Sequence, residues 1–261
     1  MNRPRAAWIA LLVCLSALIG GSIAAAEVTQ KGDLRVTVSG SISPKTLPRS
    51  GAAPISVSVG GDVKTTDGSA LPKLKTLKIE LNRYGRIETT GLPVCPYGSI
   101  QPASSSRAFS ACRSSLVGQG SFSAEITLAG QAPYAINGTM LAFNGLKGGK
   151  PVLYGQIYAP RPFATSFVII FSIKQMKGQF GTALTATLPA SLRSWGNLTG
   201  IELKLGRNYT AAGKHHSYLS AGCPAPKGFP GATFSLARIS FGFEAGPTMA
   251  STLSRNCTAR G

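Results

Sequence analysis

The chain has 261 residues, of which 43% are hydrophobic and only 14% charged, and it carries a formal charge of +18 at pH 7. That hydrophobic share is ordinary for a chain with a buried core and excludes a disordered one. Twenty-seven basic residues against nine acidic ones leave few carboxylates for acid–base catalysis or for an acid-rich calcium loop.

The first residues set the cell address. Arg3 and Arg5 give a basic start, Trp8 to Ile19 form an apolar run, and Gly20-Gly21-Ser22 leads into Ala24-Ala25-Ala26 before Glu27. This is the layout of a secretory signal peptide over residues 1–26, cleaved after Ala26. The run is shorter than the roughly 20 residues that span a bilayer; an uncleaved anchor is the alternative. Cys14 as a lipidated cysteine is disfavoured, because bulky Val13 precedes it and the apolar run continues past it. Cleavage removes two arginines and no acid, which lowers +18 to +16. No later apolar run is long enough for a membrane-spanning helix. The predicted product, residues 27–261, is secreted or held at the cell surface.

From Glu27 on, the dominant period is two. Leu34, Val36 and Val38 alternate with polar neighbours, as do Ile55, Val57 and Val59, then Leu77, Ile79 and Leu81. Phe122, Ala124, Ile126 and Leu128 repeat the pattern, and so do Ile201, Leu203 and Leu205. Each run predicts a strand with one face buried and one wet. Residues 139–144 and 152–158 predict a long hairpin. Phe167 to Ile173 is apolar on both faces and predicts a central strand covered on both sides. The apolar parity changes between Leu236 and Ile239, which predicts a bulge near Ala237-Arg238. Turn chemistry stands at Thr66-Asp67-Gly68-Ser69, Asn144-Gly145, Lys147-Gly148-Gly149-Lys150 and Ala212-Gly213-Lys214. Phe109, Cys112 and Leu116 share one helical face and predict a short helix over about 103–115; Pro189 to Trp195 predicts a helical turn. The reading is an all-β fold of about eleven strands, an antiparallel β-sandwich.

Leu74–Arg83 resembles Leu198–Arg207, and each run precedes a turn and then Cys-Pro, at Cys95-Pro96 and Cys223-Pro224. Two similar β units dividing near 130–165 are one explanation; the general likeness of amphipathic strands is the other. Four cysteines follow Glu27, an even number in a chain predicted to be exported, which reads as two disulfides. Three pairings are possible. Cys95–Cys112 and Cys223–Cys257 are preferred because each is local and each begins at a matching Cys-Pro context.

Around those cysteines, at Gly91-Leu92-Pro93-Val94-Cys95 and over Ala221–Phe234, the chain resembles a group of exported four-cysteine β proteins of high-GC soil bacteria. The resemblance implies bacterial export and the four-cysteine frame, and implies no activity, cofactor or catalytic residue.

The chemistry is sparse. The histidines, His215 and His216, are adjacent and follow the Ala212-Gly213 turn. Neighbours in a strand point opposite ways, so both do not readily hold one metal, and a solvated hairpin tip is the plainer reading. No Gly-x-Ser-x-Gly elbow supplies a nucleophile, and cysteines in disulfides leave no thiol. Glu80 and Glu202 fall on wet strand faces, where pairing with Lys78 or Lys204 is the ordinary outcome; Glu125 and Glu244 stand apart. No catalytic residue, metal or cofactor is expected.

Charge is the property that asks for a partner. The candidate polyanion-binding residues are Lys73, Lys75, Lys78, Arg83 and Arg86, with a second cluster of Lys147, Lys150, Lys174 and Lys177 if the strands bring them together. Specific nucleic-acid reading is not expected, since the aromatics fall on strand core positions. The expected function is a non-catalytic surface or wall-associated binding protein for an anionic polymer or polysaccharide. The alternatives are a secreted hydrolase with two carboxylates, or a structural envelope protein that associates through strand edges.

Overall fold

Chains whose apolar residues recur at every second position bury one sheet face and wet the other, and most of this chain's long strands do so, while β9, β10 and β11 are buried on both faces. A computed structural model describes residues 26–126 and 131–260; residues 1–25 of the predicted signal peptide lie outside them, as does Leu128. The strands are β1 (Glu27–Lys31), β2 (Leu34–Ser43), β3 (Thr46–Pro48), β4 (Ala53–Pro54), β5 (Ser56–Thr65), β6 (Leu74–Asn82), β7 (Gly85–Ile87), β8 (Leu116–Ile126) and β9 (Tyr134–Lys147). They continue as β10 (Lys150–Ala159), β11 (Thr165–Gln175), β12 (Phe180–Thr187), β13 (Asn197–Leu205), β14 (Asn208–Ala211), β15 (Lys214–Ser217), β16 (Leu219–Ala221), β17 (Gly231–Phe243) and β18 (Met249–Arg260). Two short helices, α1 (Ser105–Cys112) and α2 (Ala190–Trp195), complete the fold. It is all-β, as the periodicity predicts. The predicted strands are its long ones; the seven short strands have no sequence period long enough to read.

Thirteen strands form one sheet in the order β1-β2-β5-β13-β8-β9-β10-β11-β12-β6-β17-β18-β3. All its pairs are antiparallel except β18 with β3. The sheet curls until its ends meet. Thr29 Oγ1 on β1 donates to the Ala250 carbonyl on β18 at 3.3 Å, and Arg255 pairs with Glu27 at 2.6 Å. Its two halves thus face each other across one core. At Gly40 on β2 a Cβ would stand 2.9 Å from Leu253 Cδ1 of β18, so a larger residue there would have to displace the Leu253 side chain. Two apolar cavities of about 60 Å³ each lie in this core and share Val59 and Ile79 as walls.

The segments that echo each other in sequence hold equivalent places. β6 follows β5 in the chain but pairs with β12 and β17. β13 follows β12 but inserts between β5 and β8. The orders β5-β13-β8-β9 and β12-β6-β17-β18 therefore match, with β6 and β13 exchanged.

The predicted bulge is present, a register shift between Ser235 and Ala237. The β9–β10 hairpin turns at Gly148-Gly149, whose φ values of 56° and 72° suit glycine. Asn144-Gly145, expected as a turn, lies inside β9 instead. Asn144 is buried there, and its Nδ2 donates to the Leu92 and Pro93 carbonyls at 3.2 and 3.1 Å. A tertiary demand for a donor overrides the local turn preference. The central strand β11 is covered on both sides: Ile169 and Phe171 enter the main core, while Val168 joins a second cluster beneath α1. Ser104 caps α1, accepting from the Arg107 amide, and Ala108 and Cys112 form its buried face. Both disulfides, Cys95–Cys112 and Cys223–Cys257, pair as preferred.

Glu80 points to the outer side of β6, yet its side chain is only 1% exposed. Arg238, its register partner on β17, reaches it at 2.6 Å, and Lys78 at 2.8 Å. The Arg238 guanidinium also lies 4.9 Å from the centre of the Phe180 ring. Arg238 first, and Lys78 after it, hold the Glu80 carboxyl below the usual carboxylate range against the desolvation that raises it. A lowered folded pKa stabilises above the unfolded value, and that contribution is lost as pH falls through the folded value. Both partner cations are partly exposed and screened, so Glu80→Gln is expected to cost about 1–2 kcal/mol at pH 7. The difference from the native chain should shrink below about pH 4. Urea unfolding of both proteins across pH measures it; a pH-independent difference would contradict the ion-pair origin.

Candidate functional site: a basic end with a cleft

Strand direction sorts the charges. The end of the sheet where β6 finishes, at Asn82, is called the lower end here; β6 begins at the upper end. β6 has nine residues, which at about 3.3 Å each separate its ends by about 30 Å. The predicted cluster is therefore divided. Lys73 and Lys75 are exposed at the upper end, Lys78 is held by Glu80, and Arg83 and Arg86 are exposed at the lower end.

The second cluster does come together. Lys147 and Lys150 are register partners across β9 and β10. Continuing the β10–β11 register two residues past Val152↔Ser172 sets Lys150 beside Lys174. Lys177 follows in the β11–β12 turn, and the Arg83 amide donates to the Gln179 carbonyl of that turn at 2.9 Å. Lys147, Lys150, Lys174, Lys177 and Arg83 thus follow the rim of five adjacent strands, an arc of about 20 Å at the usual strand spacing. All five are exposed.

The carboxylates lie elsewhere. Asp33, Asp67, Glu125 and Glu244 belong to upper turns or upper strand ends. Asp62, Glu80 and Glu202 stand on strand faces, and Glu27 sits level with Val38 in mid-sheet. Glu88 alone remains at the lower end among the described residues. The ion pairs among them, at Glu80, Glu244 and Glu27, involve none of the arc cations. Three exposed aromatics stand at the same end, Tyr84 beside Arg83, Tyr97 and Phe229, while a fourth, Phe163, lies in the β10–β11 turn at the upper end. Periodicity could not show this, because these rings stand in loops.

A cleft of about 620 Å³ opens beside the arc. One wall is the β14–β15 ribbon, made by the Ala212-Gly213 turn. The other is the small sheet β4-β16-β7, in which Pro54, Ser220 and Arg86 form one row. Glu88 is two residues beyond Arg86 and also lines the cleft. The Thr90 amide donates to Glu88 at 2.8 Å. Hydrogen bonds from Thr90 hold its carboxyl below the usual range, with a smaller contribution from His216. Tyr209 and His216, register partners, stack with ring centres 5.3 Å apart and planes 17° apart. The Tyr209 hydroxyl donates to the Thr90 carbonyl at 2.9 Å, which anchors this platform. The histidine hairpin is thus one wall of a polar cleft, a role visible in the sequence only as polar residues flanking a turn.

The paired carboxylates a hydrolase needs have one counterpart. Asp62 and Glu202 are diagonal neighbours on the outer face of β5 and β13. Desolvation first, and Glu202 second, raise the Asp62 pKa. Both side chains are exposed on this face. No group of three or more metal-ligating side chains occurs among the described residues. No protein-family model, curated protein or solved structure matches the chain.

Proposed function

We propose that this is an exported, non-catalytic binding protein of the cell surface or wall, which holds an anionic polymer through its basic lower end. The observation that carries the reading is the arc from Lys147 to Arg83, continued by Arg86 into the cleft, at an end where Glu88 is the one acidic side chain among the described residues. A concentrated field of one sign attracts polyanions and releases their counterions. Two disulfides suit an oxidising compartment, and no helix among the described residues is long and apolar enough to cross a membrane. Cleavage after Ala26 would spare the sheet, because β1 begins at Glu27. The edge-association reading has less support: the sheet's terminal strands have five and three residues, and the first lies against β18.

Retention on an anionic polymer column against salt tests the proposal. The native chain from Glu27 is expected to bind at low salt and to elute near 0.5 M, where the Debye length is about 4 Å. Flow-through at low salt, or binding that survives high salt, would overturn it.

A further inference from the structure

We infer that the cleft between the β14–β15 ribbon and the β4-β16-β7 sheet is a subsite for one hexuronic acid residue of an acidic polysaccharide. The inference rests on the polyanion reading above and narrows it to one ligand chemistry.

Glu88 is the feature that selects the ligand. A permanently charged carboxylate weakens a site built only for phosphodiesters or polyphosphate, which repel it. Here the Thr90 amide donates to Glu88 and helps to hold its carboxyl below the usual range, so one cleft is lined both by a strong acceptor and by the Arg86 donor fork. A ligand that satisfies both offers an anionic group to Arg86 and O–H donors to Glu88. A sugar acid carries both on one ring: a carboxylate for the guanidinium and hydroxyls for the carboxylate. A neutral sugar leaves Arg86 unmatched, and a phosphate chain without hydroxyls leaves Glu88 unmatched.

The remaining walls agree. Asn208, Thr210 and Ser220 add neutral donors and acceptors. The Tyr209–His216 pair supplies a flat, anchored surface, suited to the C–H face of a pyranose. The volume of about 620 Å³ is within the usual range of small-molecule sites. Arg86 joins the cleft to the cationic arc, so neighbouring acidic residues of the same polymer would meet Arg83 and Lys177 while one ring occupies the cleft.

The probes are an oligogalacturonate and a polyphosphate of matched charge, with neutral dextran as control, titrated by calorimetry into the chain from Glu27. The native protein is expected to prefer the oligogalacturonate. Glu88→Gln keeps the shape and drops the charge; it should weaken oligogalacturonate binding about tenfold without weakening polyphosphate binding. Ser220→Phe, which fills the centre of the Pro54–Ser220–Arg86 row and changes no charge, should abolish the preference while the Lys147-to-Arg83 arc keeps its hold on polyphosphate. Equal strengthening of both polymers by Glu88→Gln would show Glu88 to be only a like charge in the way, and would overturn the subsite. Polyphosphate binding with no oligogalacturonate preference overturns the subsite alone. Binding of neither polymer overturns the polyanion reading as well.

Discussion

Replacing Cys223 and Cys257 by serine is expected to lower the stability of the folded chain by about 4 kcal/mol, and replacing Cys95 and Cys112 by about 3 kcal/mol. The order follows from the loops closed, with sequence separations of 34 and 17 residues, since the longer loop restricts the unfolded chain more. The Cys223–Cys257 bond joins the 222–230 loop to β18. That loop is otherwise held by few bonds: the Gly222 amide to the Tyr84 carbonyl at 3.1 Å, the Cys223 amide to the Pro48 carbonyl at 2.9 Å, the Ala259 amide to the Pro230 carbonyl at 2.8 Å, and Arg49. Arg49 gathers the Ala225, Pro226 and Phe229 carbonyls. Losing the disulfide should therefore also free Phe229 and Lys227 from the lower end. The Cys95–Cys112 bond instead pins the Cys95 segment to α1 over the second core cluster, where Ile100, Phe143 and Tyr154 are buried. Its loss should loosen α1 more than the main sheet. Thermal unfolding of the two double variants, with hydrogen exchange to locate the loosening, measures both effects. Equal losses, or loosening of the main sheet by Cys95→Ser/Cys112→Ser, would contradict the division into two clusters.

Most of the long strands were legible because a buried face over eight or more residues lets a period of two stand out, and β11 because its run is apolar on both faces; β12 and β18 were not named from the sequence. The change of parity between Leu236 and Ile239 located a bulge for the same reason: the core face must be kept when one residue is inserted. The disulfides were legible from locality and from the repeated Cys-Pro context. The curl of the sheet was not, since it depends on which strand lies beside which. β6 and β13 look alike in sequence, and nothing local says that each pairs in the half begun by the other. The basic end was half legible for that reason. Lys147 and Lys150 face each other across a readable hairpin, but Lys174, Lys177 and Arg83 join them only through the β10-β11-β12-β6 order. Proximity in sequence favoured Lys73, Lys75 and Lys78, which a nine-residue strand separates from Arg83. The hairpin at the histidines was readable from its turn, but the cleft it forms with Glu88 carried no signal, because that cleft is built from strands of two to four residues.

The most direct test of the basic end is a comparison of two charge reversals against the same polyanion in about 0.1 M salt. One variant changes Lys147, Lys150, Lys174 and Lys177 to glutamate; the other changes Lys73 and Lys75, which share the positive sign and the exposure but stand at the upper end. Four contacts turned from attractive to repulsive should lower affinity at least a hundredfold, by an estimate of about tenfold for each contact pair lost, and should flatten the dependence of log K on log salt. The upper-end variant should lose no more than about threefold, the part that long-range field alone accounts for at a Debye length of about 10 Å. A hundredfold loss confined to the first variant is the expected result. Equal losses in the two variants, or a larger loss from Lys73 and Lys75, would contradict the placement of binding at the lower end.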